Sequence, residues 1–190
     1  MKFIISERKI TMLEKTILKS DLLYNEDKSK RYMLRLEWEK SKPKMCIIML
    51  AVGKSNGIYF DRTTNLVIEN ADRLGYGTID ILNLFSSVDR NFNEKSDKEN
   101  ISAIDTSAKS AEIVIFAAGT HHKTDKRIAE RQKEVLAILK RCDKKLYCIA
   151  DDEGKKFYHP LCPKVREWNL TKFDVEELTM KGYEDDKAGN

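Results

Sequence analysis

The stretch KMCIIMLAVGKSN, residues 44–56, decides how the rest of the chain is read. Met45 to Leu50 run apolar without a polar interruption and pass directly into a small turn containing Gly53. A strand buried on both faces has this pattern, as in a parallel sheet covered by helices. Ligands of open α/β sheets bind beyond the carboxyl ends of the strands, so the loop between Ala51 and Asp61 is the first candidate wall of a site.

Downstream, apolar strands alternate with amphipathic helices. Asp61 is an N-cap for a helix through Leu74, whose Leu66, Val67, Ala71 and Leu74 share a face and which stops at Gly75. Residues 78–82 read as a second buried strand ending in the turn Asn83-Leu84-Phe85, and the polar loop 86–98 is long enough to be functional or a lid. A helix over 99–110 precedes a third strand, 112–117, that ends in Ala118-Gly119-Thr120-His121-His122. A helix over 124–141 and a fourth strand, 145–150, follow, then a loop containing Gly154 and the turn Tyr158-His159-Pro160-Leu161. Such alternation predicts right-handed crossovers and a parallel sheet.

Upstream, residues 10–18 and 31–38 are rich in Ile, Leu, Tyr and Trp around a polar connector, 25–30, and predict an antiparallel hairpin attached to the main sheet. Arg31, Tyr32, Arg35 and Trp38 interleave there as nucleic-acid contacts or as the wet face of a strand. A short helix near 174–181 and an acidic tail close the chain. The expected organisation is an N-terminal hairpin extension (1–40), an α/β domain (41–170) and a C-terminal helix with a flexible tail (171–190). The expected fold is a three-layer αβα sandwich around a mostly parallel four-stranded sheet.

At 190 residues and 35% charged composition the chain is an ordinary globular sequence, and its net charge of +4 permits a nucleic-acid or nucleotide partner without demanding one. No run approaches the length of a membrane span, and the opening MKFIISERK is charged too early for a signal peptide, which predicts a cytoplasmic protein. Cys46, Cys142, Cys148 and Cys162 form no CxxC pair and read as reduced thiols. Gly53-Lys54-Ser55 lacks the glycine that a phosphate-binding P-loop needs five residues earlier. His121-His122 has no third ligand in view, so neither metal nor cofactor is expected.

In a parallel sheet the turns after the four strands share one edge and converge. Asn83 can donate and accept at once, which suits a base edge, or it caps its turn. His159, held extended before Pro160, can stabilise a leaving group, hold a phosphate or make a structural hydrogen bond. Gly53, Lys54, Phe85, Gly119 and His121 complete the candidate ligand wall.

The chain from Arg31 to about Cys162 resembles the bacterial and phage family known as domain of unknown function 1643, on RYMLRLEW, IIML, Asp61 with Thr63, RLGYGTIDILNLF, Glu99-Asn100, Ala118-Gly119 and YHPL. The order of these motifs also looks like the uracil-DNA glycosylase superfamily. That resemblance implies a loop after the first strand that positions water, Asn83 reading a base edge, and His159 supporting the departing base. Ala51-Val52-Gly53-Lys54 stands where the family usually has Asn-Pro-Ser-Thr, and Ala118-Gly119 where it tends to have Trp-Gly. Asn56 or Asp61 then takes over the water-holding role, or the pocket survives without the chemistry. Three functions stay open: an N-glycoside hydrolase acting on a base in DNA or on a nucleotide, with Asp61, Asn56 and His159 as its catalytic groups; a binding module for the same ligands; and a protein-interaction factor of a phage or mobile element.

Overall fold

The computed structural model describes residues 15–150 and 158–175. In chain order its elements are β1 (Lys19–Tyr24), β2 (Arg31–Glu37), β3 (Lys44–Ala51), α1 (Arg62–Arg73), β4 (Thr78–Phe85), α2 (Lys98–Ser110), β5 (Ile113–Phe116), a 3-10 turn (His121–Lys123), α3 (Lys126–Lys140), β6 (Lys145–Ala150) and β7 (Asn169–Lys172). The strands form one mixed sheet in the order β1-β2-β4-β3-β5-β6-β7. β4, β3, β5 and β6 are parallel neighbours, whereas β1, β2 and β7 run antiparallel to the strands they join.

The continuous apolar run of β3 is explained by its place between β4 and β5. Cys46 and Ile48 pack on one face with Ile104 and Ala108 of α2 and with Val135, Leu136 and Leu139 of α3. Met45, Ile47 and Met49 pack on the other with Val67 and Ala71 of α1 and with Trp168. Each fully buried aliphatic side chain of this kind contributes about 1.5–3 kcal/mol of transfer free energy. Helices therefore cover both faces, and a strand between them has no water-facing side to leave polar.

The sheet has seven strands and not four: the expected hairpin continues it through β2 beside β4, and β7, which was not expected, closes the far side. Those outer strands alternate or are short, so they lack the apolar run that marks the centre. The first hairpin strand lies at Lys19–Tyr24, where every second residue is half-buried; of the expected strand over 10–18, residues 10–14 lie outside the described residues and 15–18 are irregular. β4 continues through Asn83-Leu84-Phe85, which is strand and not a turn, since its polar member is satisfied within the sheet edge. The helix expected from 124 begins at Lys126 because Asp125 caps it, accepting from the Arg127 backbone N–H. The Gly154 loop, the tail and all but the first residues of the short helix near 174–181 lie outside the described residues. Among the described residues, no helix is long and apolar enough to cross a membrane.

One clamp ties the return of the chain to α1. The Asn70 amide accepts from the Trp168 backbone N–H at 2.9 Å and donates to the Arg166 carbonyl at 2.9 Å, while Arg73 donates to the Trp168 carbonyl at 3.0 Å. The clamp fixes the segment that leads from His159 into β7.

Candidate functional site

β3 passes to α1 on one face of the sheet, and its neighbour β5 passes to α3 on the other. The crevice beyond the carboxyl ends of two such strands is where open α/β sheets bind ligands. A cavity of about 390 Å³ opens there, floored by Met49, Leu50 and Ala51 at the end of β3. Its walls come from four separated parts of the chain.

The first wall is the loop into α1. The Asp61 carboxylate caps the helix, with Oδ1 accepting from the Thr64 backbone N–H at 2.9 Å and Oδ2 from the Lys54 N–H at 2.8 Å. Ser55 Oγ sits 2.7 Å from Thr64 Oγ1 and accepts from the Asp61 N–H at 2.9 Å, which closes the loop on the helix. Burial opposes ionisation of Asp61, but the hydrogen bonds from Thr64 and Lys54 prevail and hold its carboxyl below the ordinary value. Asp61 faces the cavity as a fixed negative charge, together with Gly53 and Thr63.

His159 and Leu161 form the second wall. His159 Nδ1 accepts from the Leu161 backbone N–H at 3.2 Å, so a neutral ring carries its proton on Nε2. Burial lowers its pKa below 6.5, and His121 and Arg90 push the same way against the pull of Asp61. His121, exposed in the 3-10 turn, lines the third wall. Gly119 allows that turn to pass beneath His159, with φ of +76° and with the His159 Cβ 3.6 Å from where its own Cβ would stand.

Arginines and an aromatic ring complete the enclosure. Arg90, in the loop between β4 and α2, has a left-handed backbone (φ 59°) and donates from Nε to the Val52 carbonyl at 3.3 Å. Phe92 from the same loop lines the cavity, and its ring meets Phe85 behind it at 5.0 Å between centroids. Arg31, only 3% exposed, enters from the start of β2 and donates to the Ser55 carbonyl at 2.6 Å.

Of the residues singled out in the sequence, Asp61, His159, Gly53 and His121 are brought together. Asn56 braces the loop tip instead, its Oδ1 accepting from the backbone N–H groups of Ile58 and Tyr59 at 3.2 and 2.9 Å. Asn83 is buried and donates to the Ala51 carbonyl at 2.7 Å, which holds the cavity floor from below. Phe85 is one layer back, sandwiched between Phe92 and the Arg131 guanidinium. Lys54 contributes its backbone N–H, and its side chain is outside the lining. Sequence reasoning left Arg90, Phe92 and Thr63 out of the candidate wall and weighed Arg31 only as a hairpin contact. The length of the 86–98 loop was the available signal for the first two.

Among the described residues, no three His, Cys, Asp or Glu side chains gather as a metal site. A family model described as "Protein of unknown function (DUF1643)" matches residues 31–161, more than half of the chain, and spans every wall of the cavity. No curated protein and no solved structure matches the chain.

Proposed function

The chain belongs to the DUF1643 family, and from that premise we propose that it recognises a nucleotide unit in this cavity and hydrolyses its N-glycosidic bond. The observation that carries the reading is the presence of Asp61 and His159 on one cavity, a fixed negative charge beside a neutral imidazole with a free Nε2–H. Cleavage of an N-glycoside builds positive charge on the sugar and negative charge on the departing base. Asp61 stabilises the first and holds water through the lone pairs left on its oxygens. His159 donates to the second, and Phe92 offers a ring on which the base can stack.

Asp61 supplies a polar group that Ala51 lacks, which removes the main objection to catalysis raised by that alanine. We read the fold as uracil-DNA glycosylase-like, supported by four parallel neighbours with helices on both faces and with the first-strand loop and the late His-Pro turn on one cavity. A second reading, ligand binding without turnover, is favoured by the backbone N–H that each Asp61 oxygen already accepts.

Base release decides between them. The protein is incubated with single-stranded and duplex DNA carrying normal, deaminated and modified bases and with a nucleotide pool, and products are read by mass spectrometry. Free base that disappears in His159→Ala supports the hydrolase. Absence of product from folded protein transfers the weight to binding alone.

A further inference from the structure

Two arginines are buried among the described residues, and the structure treats them differently. Arg131, 6% exposed, pairs with Glu134 at 3.1 Å, donates to the Leu84 and Glu94 carbonyls at 3.0 and 3.1 Å and covers the Phe85 ring. Arg31, at 3%, has the Ser55 carbonyl as its side-chain acceptor and, among the described residues, no carboxylate within the 4.0 Å of an ion pair. On the same strand Arg35 meets the Asp80 carboxylate through two donors at 2.6 and 2.8 Å. An uncompensated charge taken out of water is costly, and its retention at the wall of a cavity points to a counter-charge that arrives with the ligand.

Asp61 does not supply that counter-charge. It acts on Arg31 electrostatically but lies beyond ion-pair reach, with its oxygens turned to Lys54 and Thr64. Arg90 brings a second guanidinium to the cavity, and Thr63 stands in the first turn of α1, where backbone N–H groups lack helical partners. The two guanidiniums share the cavity with Asp61 and His159 and act on them electrostatically, but neither is paired with the Asp61 carboxylate.

We infer that Arg31, with Arg90 and Thr63, holds the terminal phosphate of a phosphomonoester, so that the ligand is a free nucleoside monophosphate and not a nucleotide within a polymer. The cavity, about 390 Å³, lies at the small end of the roughly 300–1,000 Å³ of small-molecule sites. Arg31 is inside it and not on the outer surface. A phosphodiester would need exits for two substituents on the same phosphorus, whereas a monoester ends at the guanidinium. A planar guanidinium meets such an anion through two parallel hydrogen bonds. The nucleoside half of this assignment rests on the reading of the cavity given above; the phosphate half rests on Arg31, with Arg90 and Thr63 beside it on the same cavity.

The test is calorimetric titration of the full chain with inorganic phosphate, ribose 5-phosphate, the four common nucleosides, their 5′-monophosphates and a single-stranded oligonucleotide. At least one monophosphate is expected to bind about tenfold or more tighter than its nucleoside, the worth of a charge-assisted bidentate contact. Arg31→Met should erase that difference, while loss of its hydrogen bond to the Ser55 carbonyl is offset by removal of an uncompensated buried charge, so the free protein stays folded. Arg90→Gln, on an exposed loop, should reduce the difference in a variant whose fold is not at risk. The assignment is overturned if nucleoside and monophosphate bind alike, if the oligonucleotide binds as tightly as the best monophosphate, or if no phosphorylated probe binds. Phosphate-dependent binding with no base release would refute the hydrolase reading and leave this one standing. Base release from oligonucleotides bound as tightly as monophosphates would do the reverse.

Discussion

The carboxylate of Asp61 occupies the space into which a side chain at Gly53 would project, so closely that a Cβ there would overlap Oδ2. Gly53 is therefore required by its neighbour, since its φ is not in the left-handed region that favours glycine. Gly53→Ala is expected to push Asp61 off the Thr64 and Lys54 N–H groups, uncap α1 and lower stability by about 1 kcal/mol, the usual worth of an N-cap. Asp61→Ala should cost about the same, and the double variant little more than either, because both remove one interaction. Denaturant unfolding of the three variants measures this, and additive losses would show that the contact is not what Gly53 provides.

Asp61 has a structural and a proposed chemical duty, and an isosteric change moves the two by different amounts. Asparagine caps helices about as well as aspartate but carries no charge. Asp61→Asn keeps an acceptor for only one of the Thr64 and Lys54 N–H groups and turns an amide donor toward the other, so stability should fall by about 1 kcal/mol, while base release falls roughly a hundredfold if the negative charge stabilises the transition state. Equal turnover in the two proteins would remove Asp61 from the chemistry.

Asp80 is the most deeply placed charge in the sheet, fully buried in β4 opposite Arg35 of β2 and 3.1 Å from Lys44. Burial raises its pKa, but the hydrogen bonds and charge of Arg35, with the charge of Lys44, prevail and set it below 3.8. A carboxyl with a depressed folded pKa contributes stability that is fully present above the unfolded value and lost as pH falls below 3.8 toward the folded value. Asp80→Asn should destabilise at pH 7 by about 1.5–3 kcal/mol, the scale of a hydrogen bond to a charged group, because the Arg35 and Lys44 cations it leaves are partly exposed. Arg35→Met should cost less, because Lys44 remains beside the carboxylate. Unfolding measured from neutral to acid pH should show the gap between wild type and Asp80→Asn closing only below about pH 4.

The central strands were legible because burial on both faces leaves one signature, an unbroken apolar run, and β3 and β6 carry it to their last residues. Asp80 was passed over for the same reason: one carboxylate inside TIDIL does not interrupt a strand, and its partners on β2 and β3 are distant in sequence. The hairpin was legible but its first strand was placed too early in the chain, and β7 was missed, because an edge strand needs only half its residues apolar. Asp61 and His159 were legible as polar groups at strand ends. Asn56 and Asn83 were not separable from them, since an amide that braces a loop and one that reads a base have the same sequence. Arg31 was visible only as a basic residue in a hairpin; its burial without a carboxylate is a property of the folded chain.

His159 gives the clearest pH signature. Its ring already accepts the Leu161 N–H on Nδ1, so a second proton would set two donors against each other, and burial with His121 and Arg90 nearby adds to the cost. The folded pKa lies below 6.5, so the unfolded chain binds more protons between the two values. Stability contributed by neutral His159 is present above the unfolded pKa of 6.5 and declines as pH falls through it toward the folded value. His159→Gln, which cannot titrate, should lack that decline, and the difference in unfolding free energy between the two proteins should change as pH falls through 6.5 and be level well above it. NMR of the ring protons should place the titration of His159 below 6.5. An imidazole that titrates at or above 6.5 would mean that Nδ1 is not committed to Leu161 and that the Nε2–H is not a fixed donor toward the cavity.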